Sequence, residues 1–180
     1  RAEAGASIGQ AFSSGRLPVQ KTVTVFGKDG VKHLALARVG TPTGTLLKTF
    51  GIDVQDRDKI IFGGPMTGNA IYSEALPIRP DTDAILVQDK SVIPLYSDYP
   101  CVNCGDCVRI CPANIPVNLL VRFLEAGQYT EGADLYDLYS CIECGLCSYV
   151  CVSRIPIFQY IKLAKYEIGR IQSAEEMNEQ

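Results

Sequence analysis

Apolar residues fall in short β-branched runs through the first half of the chain and recur at helical spacing in the second half. Thr22-Val23-Thr24-Val25-Phe26 predicts a strand, and His33 to Val39 a second one. Lys28-Asp29-Gly30 between them is turn chemistry, so the two runs predict a hairpin. Thr43 is placed to cap a short helix carrying Leu46, Leu47 and Phe50, with Gly51 past its end. Lys59-Ile60-Ile61-Phe62 predicts a third strand, Gly63-Gly64-Pro65-Met66-Thr67-Gly68 forces a loop, and Ala84-Ile85-Leu86-Val87 predicts a last strand. Strand, strand, helix, strand, with further strands, predicts a small β-grasp domain over residues 20–92.

From about Tyr99 the period becomes helical. Val117, Leu120, Val121 and Leu124 share one face, and Gly127 ends it. Glu131 to Leu138 predicts a second helix, and Ile157, Ile161, Ala164, Ile168 and Ile171 mark a third, amphipathic one. Residues 93–172 therefore predict an all-helical domain, and the polar, acidic 173–180 a flexible tail. The overall class expected is α+β. At the other end, Ala4, Ile8, Ala11 and Phe12 share a helical face, with Gly15 as a C-terminal cap. The chain opens on Arg1-Ala2-Glu3-Ala4 without a methionine, as if in mid-helix. Residues 1–19 are expected to be the remnant helix of a missing upstream domain.

Charge narrows the function classes. The 180 residues carry 17 basic and 20 acidic side chains, a net −3, with no basic run or stripe, which argues against nucleic acid as a partner. No apolar stretch approaches the ~18–20 residues that cross a bilayer, so no transmembrane segment of its own is expected. With no signal-peptide pattern, the expected location is a reducing cytoplasm.

The eight cysteines carry the chemistry. Cys101, Cys104, Cys107 and Cys111 form one C-x-x-C-x-x-C-x-x-x-C run, and Cys141, Cys144, Cys147 and Cys151 form another. Three cysteines two residues apart can wrap a turn around one [4Fe–4S] cubane, while the fourth starts a segment that leads away. In two-cluster ferredoxins that fourth cysteine ligates the other cluster. The expected ligand sets are Cys101, Cys104, Cys107 and Cys151 for one cluster, and Cys141, Cys144, Cys147 and Cys111 for the other. Gly105 and Gly145 follow the second cysteine of each run, where glycine has no side chain to clash with a cubane and tolerates positive φ. A disulfide framework favours an oxidising compartment and a shorter chain. Structural zinc favours separated C-x-x-C pairs. Two copies of one four-cysteine run fit neither pattern. The repeat extends outward, because Ile115-Pro116 and Ile155-Pro156 follow at the same distance. It departs at one place, where Pro112 after the first run is matched by Val152 after the second. Loaded clusters would add about −2 each to the net charge.

Other features have plainer readings. The Gly63–Gly68 loop reads as a tight turn between strands, with close approach to a cofactor or a partner as the alternative, and it is not a nucleotide fingerprint. His33, the one histidine, reads as a solvated strand residue. Tyr96, Tyr99, Tyr139 and Tyr149 flank the cysteine runs and read as packing that walls off the clusters, with a redox relay as the alternative. Asp106 and Glu143 inside the runs would make the clusters harder to reduce. No catalytic constellation is present in the sequence.

The Gly-Gly-Pro-Met-Thr-Gly segment, followed by Cys-Val-Asn-Cys-Gly-Asp-Cys-Val-Arg-Ile-Cys-Pro and Cys-Ile-Glu-Cys-Gly-Leu-Cys-Ser-Tyr-Val-Cys, resembles the C subunit of the Rnf electron-transport complex. The cobalamin-reducing flavoprotein of propanediol microcompartments is similar in layout. The resemblance implies an electron-transfer module that carries single electrons through two [4Fe–4S] clusters. It implies FMN and NADH only in an upstream domain, and no residue of this chain can be matched to its flavin or nicotinamide site. The implied partners are other subunits of a membrane-associated electron-transport complex or a redox partner protein, and a peripheral seat on the cytoplasmic membrane face is compatible with it. A different class of function, a docking scaffold with structural clusters, fits the same cysteines.

Overall fold

The computed structural model describes residues 2–15, 17–93, 96–97 and 99–178, so Arg1 and the last two residues of the expected tail lie outside the described residues. The chain is α+β and divides into two compact units, 1–93 and 94–180.

The first unit opens with α1 (Ala2–Ser14), followed by β1 (Gln20–Phe26), β2 (Lys32–Arg38), α2 (Thr43–Thr49), β3 (Lys59–Phe62), β4 (Asn69–Ile71) and β5 (Ala84–Gln88). The strands form one sheet in the order β2-β1-β5-β3-β4. β1 and β2 make the expected hairpin, with Gln20 opposite Arg38 and Phe26 opposite Lys32. β1 also runs parallel to β5, which pairs antiparallel with β3. Alternation along β1 puts Val23 and Val25 into the core with Leu46 and Leu47 of α2, Ile78, Ile85 and Val87.

Several local expectations change. Thr43 does not cap α2; it is the first helical residue, fully buried, and its hydroxyl donates to the Leu76 carbonyl at 2.7 Å. A distant acceptor wins over the local cap because burial leaves the hydroxyl no water to bond. β4 is an extra strand, antiparallel to β3. The Gly63–Gly68 run is the turn between them. Gly63 has a φ of +97°, and a Cβ on Gly68 would lie 2.6 Å from the Phe62 carbonyl oxygen. His33 is half-buried and stacks on Phe50 with ring centroids 4.7 Å apart.

The apolar stripe of α1 is not what holds it, since Ile8 is 59% and Phe12 89% exposed. Glu3 does so instead. One carboxylate oxygen takes a 2.7 Å ion pair from Lys21, and the other accepts from the Thr22 N–H at 3.0 Å. Lys21 occupies a core position of β1, and its ammonium also meets Asp83 at 2.8 Å. Burial works against the charged lysine, yet the two carboxylates outweigh it and raise its pKa.

In the second unit, every element among the described residues is helical. They are α3 (Asp106–Arg109), α4 (Val117–Glu125), α5 (Tyr129–Tyr136), α6 (Leu146–Tyr149) and α7 (Ile157–Asn178), with a 3-10 turn at Leu138–Ser140. The α4 face expected from sequence is buried whole, and Ile157, Ile161, Ala164 and Ile168 of α7 close the core over it. Gly132 lets α5 lie against α4, since a Cβ there would stand 2.8 Å from the Phe123 Cβ. α5 stops before Leu138 because Asp137 turns left-handed, at a φ of +53°. α7 runs past residue 172, and Ser173 to Asn178, expected as a flexible tail, continue it. No glycine or proline breaks SAEEMN, and its polar side chains need no packing to stay helical.

Asp58 ties the sheet unit together. Its carboxylate accepts from the Gln55 N–H at 2.7 Å and the Lys90 N–H at 3.1 Å, and it pairs with Lys28. The lysine contact, then these amides, hold the carboxyl below its usual value of 3.8. A depressed pKa adds stability that is present above 3.8 and is lost as the pH falls through the lower, folded value. Asp58→Ala is expected to reduce hydrogen-exchange protection in β1, β3 and β5 at pH 6, and parent and Asp58→Asn to converge once the pH falls below the folded value. Equal protection of parent and Asp58→Ala at pH 6 would overturn this assignment.

Candidate metal centre

Each cysteine run is a loop with two left-handed residues ahead of one helical turn. Asn103 (φ +56°) and Gly105 (φ +79°) precede α3, and Glu143 (φ +56°) and Gly145 (φ +76°) precede α6. A third matched pair, Asn114 (φ +56°) and Arg154 (φ +53°), follows the fourth cysteines. The internal repeat is therefore a repeat of backbone conformation. Asparagine tolerates the left-handed region better than glutamate or arginine, so the second run holds the more strained copy.

Val152 makes the same turn as Pro112. The Asn114 N–H reaches the Cys111 carbonyl at 3.1 Å, and the Arg154 N–H reaches that of Cys151 at 3.0 Å. The missing proline leaves this backbone unchanged because its i→i+3 hydrogen bond needs only an ordinary residue at the second position. Ile115 and Ile155 then turn inward, and α4 and α7 start after Pro116 and Pro156.

These turns divide the cysteines between two recesses. One is lined by Cys101, Cys104, Cys107 and Cys151, with Val121, Ile155 and Ile157. The other is lined by Cys111, Cys141, Cys144 and Cys147, with Ile115, Val117, Phe158 and Ile161. Each recess thus takes three thiols from one run and the fourth from the other. None of the eight cysteines is paired in a disulfide. Among the described residues, no three His, Cys, Asp or Glu side chains converge as a single metal ion requires. Tetrahedral zinc, bound at about 2.3 Å, needs its sulfurs about 3.8 Å apart. Four soft thiols around an apolar recess suit an iron–sulfur cluster.

Burial pushes the Cys107 and Cys141 thiols up and that of Cys147 up to about 12. Thiolate ligands must lose these protons, so loading a recess releases protons as it fills.

The acids inside the runs are paired. Asp106 meets Arg109, whose guanidinium also donates to the Cys104 carbonyl at 3.3 Å. Glu143 meets Lys165 of α7 at 2.9 Å, and that ammonium donates to the Cys141 carbonyl at 2.7 Å. The repulsion expected from these acids is therefore opposed by a cation at each loop. Asn118 donates to Asn103 at 2.7 Å, and Ser148 accepts from the Phe158 N–H at 2.7 Å. Neither Lys165 nor Asn118 carries a signal in sequence, because each reaches its loop only through the packing of a helix.

The four tyrosines do not wall off the recesses. Tyr96, Tyr99, Tyr139 and Tyr149 are all exposed, and aliphatic residues close the recesses instead.

The left-handed glycines are the sensitive points. Gly105→Ala and Gly145→Ala are each expected to cost about 1–2 kcal/mol, the penalty of a Cβ in this region. That corresponds to roughly 5–30-fold faster loss of iron to a chelator. Gly169→Ala, in α7 with nothing within 4 Å of its Cβ, serves as control and should not accelerate it. Equal rates for all three variants would count against the turn geometry.

Residues 100–155 match the 4Fe-4S dicluster domain. Relatives extend the match. The C subunit of the ion-translocating oxidoreductase complex of Rhodobacter capsulatus is 35% identical over 118 residues, covering 64% of this chain and 22% of that protein. The corresponding protein of Methanosarcina acetivorans is 26% identical over 123 residues, 68% of this chain and 28% of that one. The C subunit of the Na(+)-translocating ferredoxin:NAD(+) oxidoreductase complex of Acetobacterium woodii is 28% identical over 117 residues, 63% of this chain and 26% of that one. The chain thus spans about a quarter of the length of these curated relatives. Over the shared stretch it is a homologue of the C subunits of the ion-translocating oxidoreductase complexes, and it carries a 4Fe-4S dicluster domain.

Proposed function

We propose that this chain is the electron-transfer segment of an Rnf-type NADH/ferredoxin electron-transport complex, holding two [4Fe–4S] clusters with crossed ligands. The observation that carries the reading is the division of the eight cysteines between two recesses, three and one from each run. Cys101, Cys104, Cys107 and Cys151 hold one cluster, and Cys141, Cys144, Cys147 and Cys111 the other. When bound, a [4Fe–4S] cluster takes up and gives up one electron at a time. The chain's own part is to supply thiolates, exclude water with Ile115, Val121, Ile155, Ile157 and Ile161, and set the charge around each recess.

The remaining details belong to the same proposal. We read the first unit as a β-grasp domain, supported by the order β2-β1-β5-β3-β4 with β1 parallel to β5. We read the second as the all-helical form of a dicluster domain, supported by its five helices. FMN and NADH are assigned to a domain upstream of this segment, with α1 as its last helix. Partners are the other subunits of a membrane-associated complex. Among the described residues no helix is long and apolar enough to cross a membrane, and a peripheral place on the cytoplasmic membrane face agrees with that.

Anaerobically prepared protein is expected to contain about eight iron and eight acid-labile sulfide. Cys111→Ser should disturb the EPR signal of the cluster held by Cys141, Cys144 and Cys147, and Cys151→Ser that of the other. Stoichiometric zinc, or the same damage from Cys111→Ser as from Cys104→Ser, contradicts the reading.

The chain by itself is expected not to oxidise NADH, since it lacks a dinucleotide fingerprint. Dithionite should bleach its visible absorbance, and NADH should not until a flavoprotein donor is added. Rapid bleaching by NADH alone would place a nucleotide site within residues 1–95.

A further inference from the structure

The two cysteine loops match in backbone but not in charge. Asn103 and Glu143 hold equivalent places, forty residues apart, at the same φ of +56°. Asn103 is fixed by a neutral amide, Asn118 on α4. Glu143 is fixed by an ammonium, Lys165 on α7, which also donates to the carbonyl of Cys141. Glu143 is the one charged residue among those lining the second recess. The nearest counterpart in the first loop, Arg109, is bonded to Asp106 and its side chain is 70% exposed, against 27% for Lys165. Water and salt screen an exposed charge strongly and a half-buried one much less. The Lys165 charge, held at the Cys141 carbonyl, is therefore screened less than the Arg109 charge.

We propose that Lys165 is a potential-tuning residue. Its ammonium, held at the Cys141 carbonyl and balanced by Glu143, makes the cluster in the Cys111, Cys141, Cys144 and Cys147 recess easier to reduce than it would be without that cation. This rests on the two-cluster reading above. Uptake of one electron adds one negative charge to the recess, and a nearby cation favours that state while a carboxylate opposes it. With Lys165 removed, Glu143 stands unpaired at the recess. With Glu143 neutralised, the ammonium acts unopposed. The two changes must then act with opposite sign, whereas loss of a merely structural tether would move both the same way.

The test uses the full chain with clusters assembled anaerobically. Iron and sulfide are measured first in the parent and in each variant, and then both midpoint potentials are followed by EPR during titration with dithionite. The Cys111→Ser variant identifies which signal belongs to which recess. Lys165→Met is expected to lower the potential of the Cys141-side cluster and leave the other in place. Glu143→Gln is expected to raise it, Lys165→Arg to keep it near the parent, and the Lys165→Met, Glu143→Gln double variant to return towards the parent. Shifts of the same sign from the two single variants, equal shifts of both clusters, or unshifted potentials at full iron content would overturn the proposal. Should Lys165→Met lose iron, Glu143→Gln decides alone, an upward shift supporting the proposal and any other result overturning it. A parent chain without two clusters removes the two-cluster reading and this inference together. A fully loaded parent with insensitive potentials removes this inference alone.

Discussion

Each recess is lined by four thiols, and no single run in this chain supplies all four. Three cysteines fit within a turn of backbone, but the fourth is carried off by the turn that follows, where the Asn114 and Arg154 N–H groups bond back to Cys111 and Cys151. The two runs can complete their recesses only by exchanging their fourth members. Much of the second unit serves that exchange. Ile115 and Ile155 pin the chain after each fourth cysteine, and α4 and α7 start there and pack on one another through Leu120, Val121, Leu124, Ile161 and Ala164. Burial of these aliphatic groups supports the scaffold. The same burial raises the thiols of Cys107, Cys141 and Cys147, so the scaffold opposes empty thiolates and suits thiolates bound to metal.

What could be read from sequence was what is local or periodic. Cysteine spacing is local, because ligands two residues apart act within one turn. Helix faces are periodic, so Val117, Leu120, Val121 and Leu124 were identifiable before any fold was known. The hairpin of β1 and β2 was legible through its turn. The failures involve partners far apart in sequence. Thr43 looks like a cap until Leu76 offers a carbonyl across the unit. Ile8 and Phe12 share a helical face, yet α1 is tied down by an acid 18 residues from its lysine. β4 is only three residues long, too short for a pattern.

The ion pairs at Lys21 and Lys165 illustrate one rule at two sites. At each, a partly buried lysine is paired with a carboxylate, and the pair fixes the elements that supply it. At Lys21 the elements are α1 and the strand ends of the sheet. At Lys165 they are α7 and the second cysteine loop. The first pair is a clamp with no chemistry beside it. The second lies on a ligand loop, so any charge it places there also bears on the recess.

The two copies of the motif differ most where the backbone is least forgiving. Asn103 occupies the left-handed region at little cost, and a neutral partner suffices to hold it. Glu143 in the same conformation is strained, and it persists because Lys165 holds both its carboxylate and the carbonyl two residues earlier. Strain and charge are thus met by one contact. A glycine at 143 would relieve the backbone but leave the ammonium unopposed. An asparagine there would relieve it too, with no carboxylate left to balance the lysine. Neither substitution restores the symmetry of the repeat, because Phe158 stands where Asn118 stands in the first half. Phe158 and Ile161 of α7 line the second recess, and the partner of Glu143 is Lys165, further along the same helix.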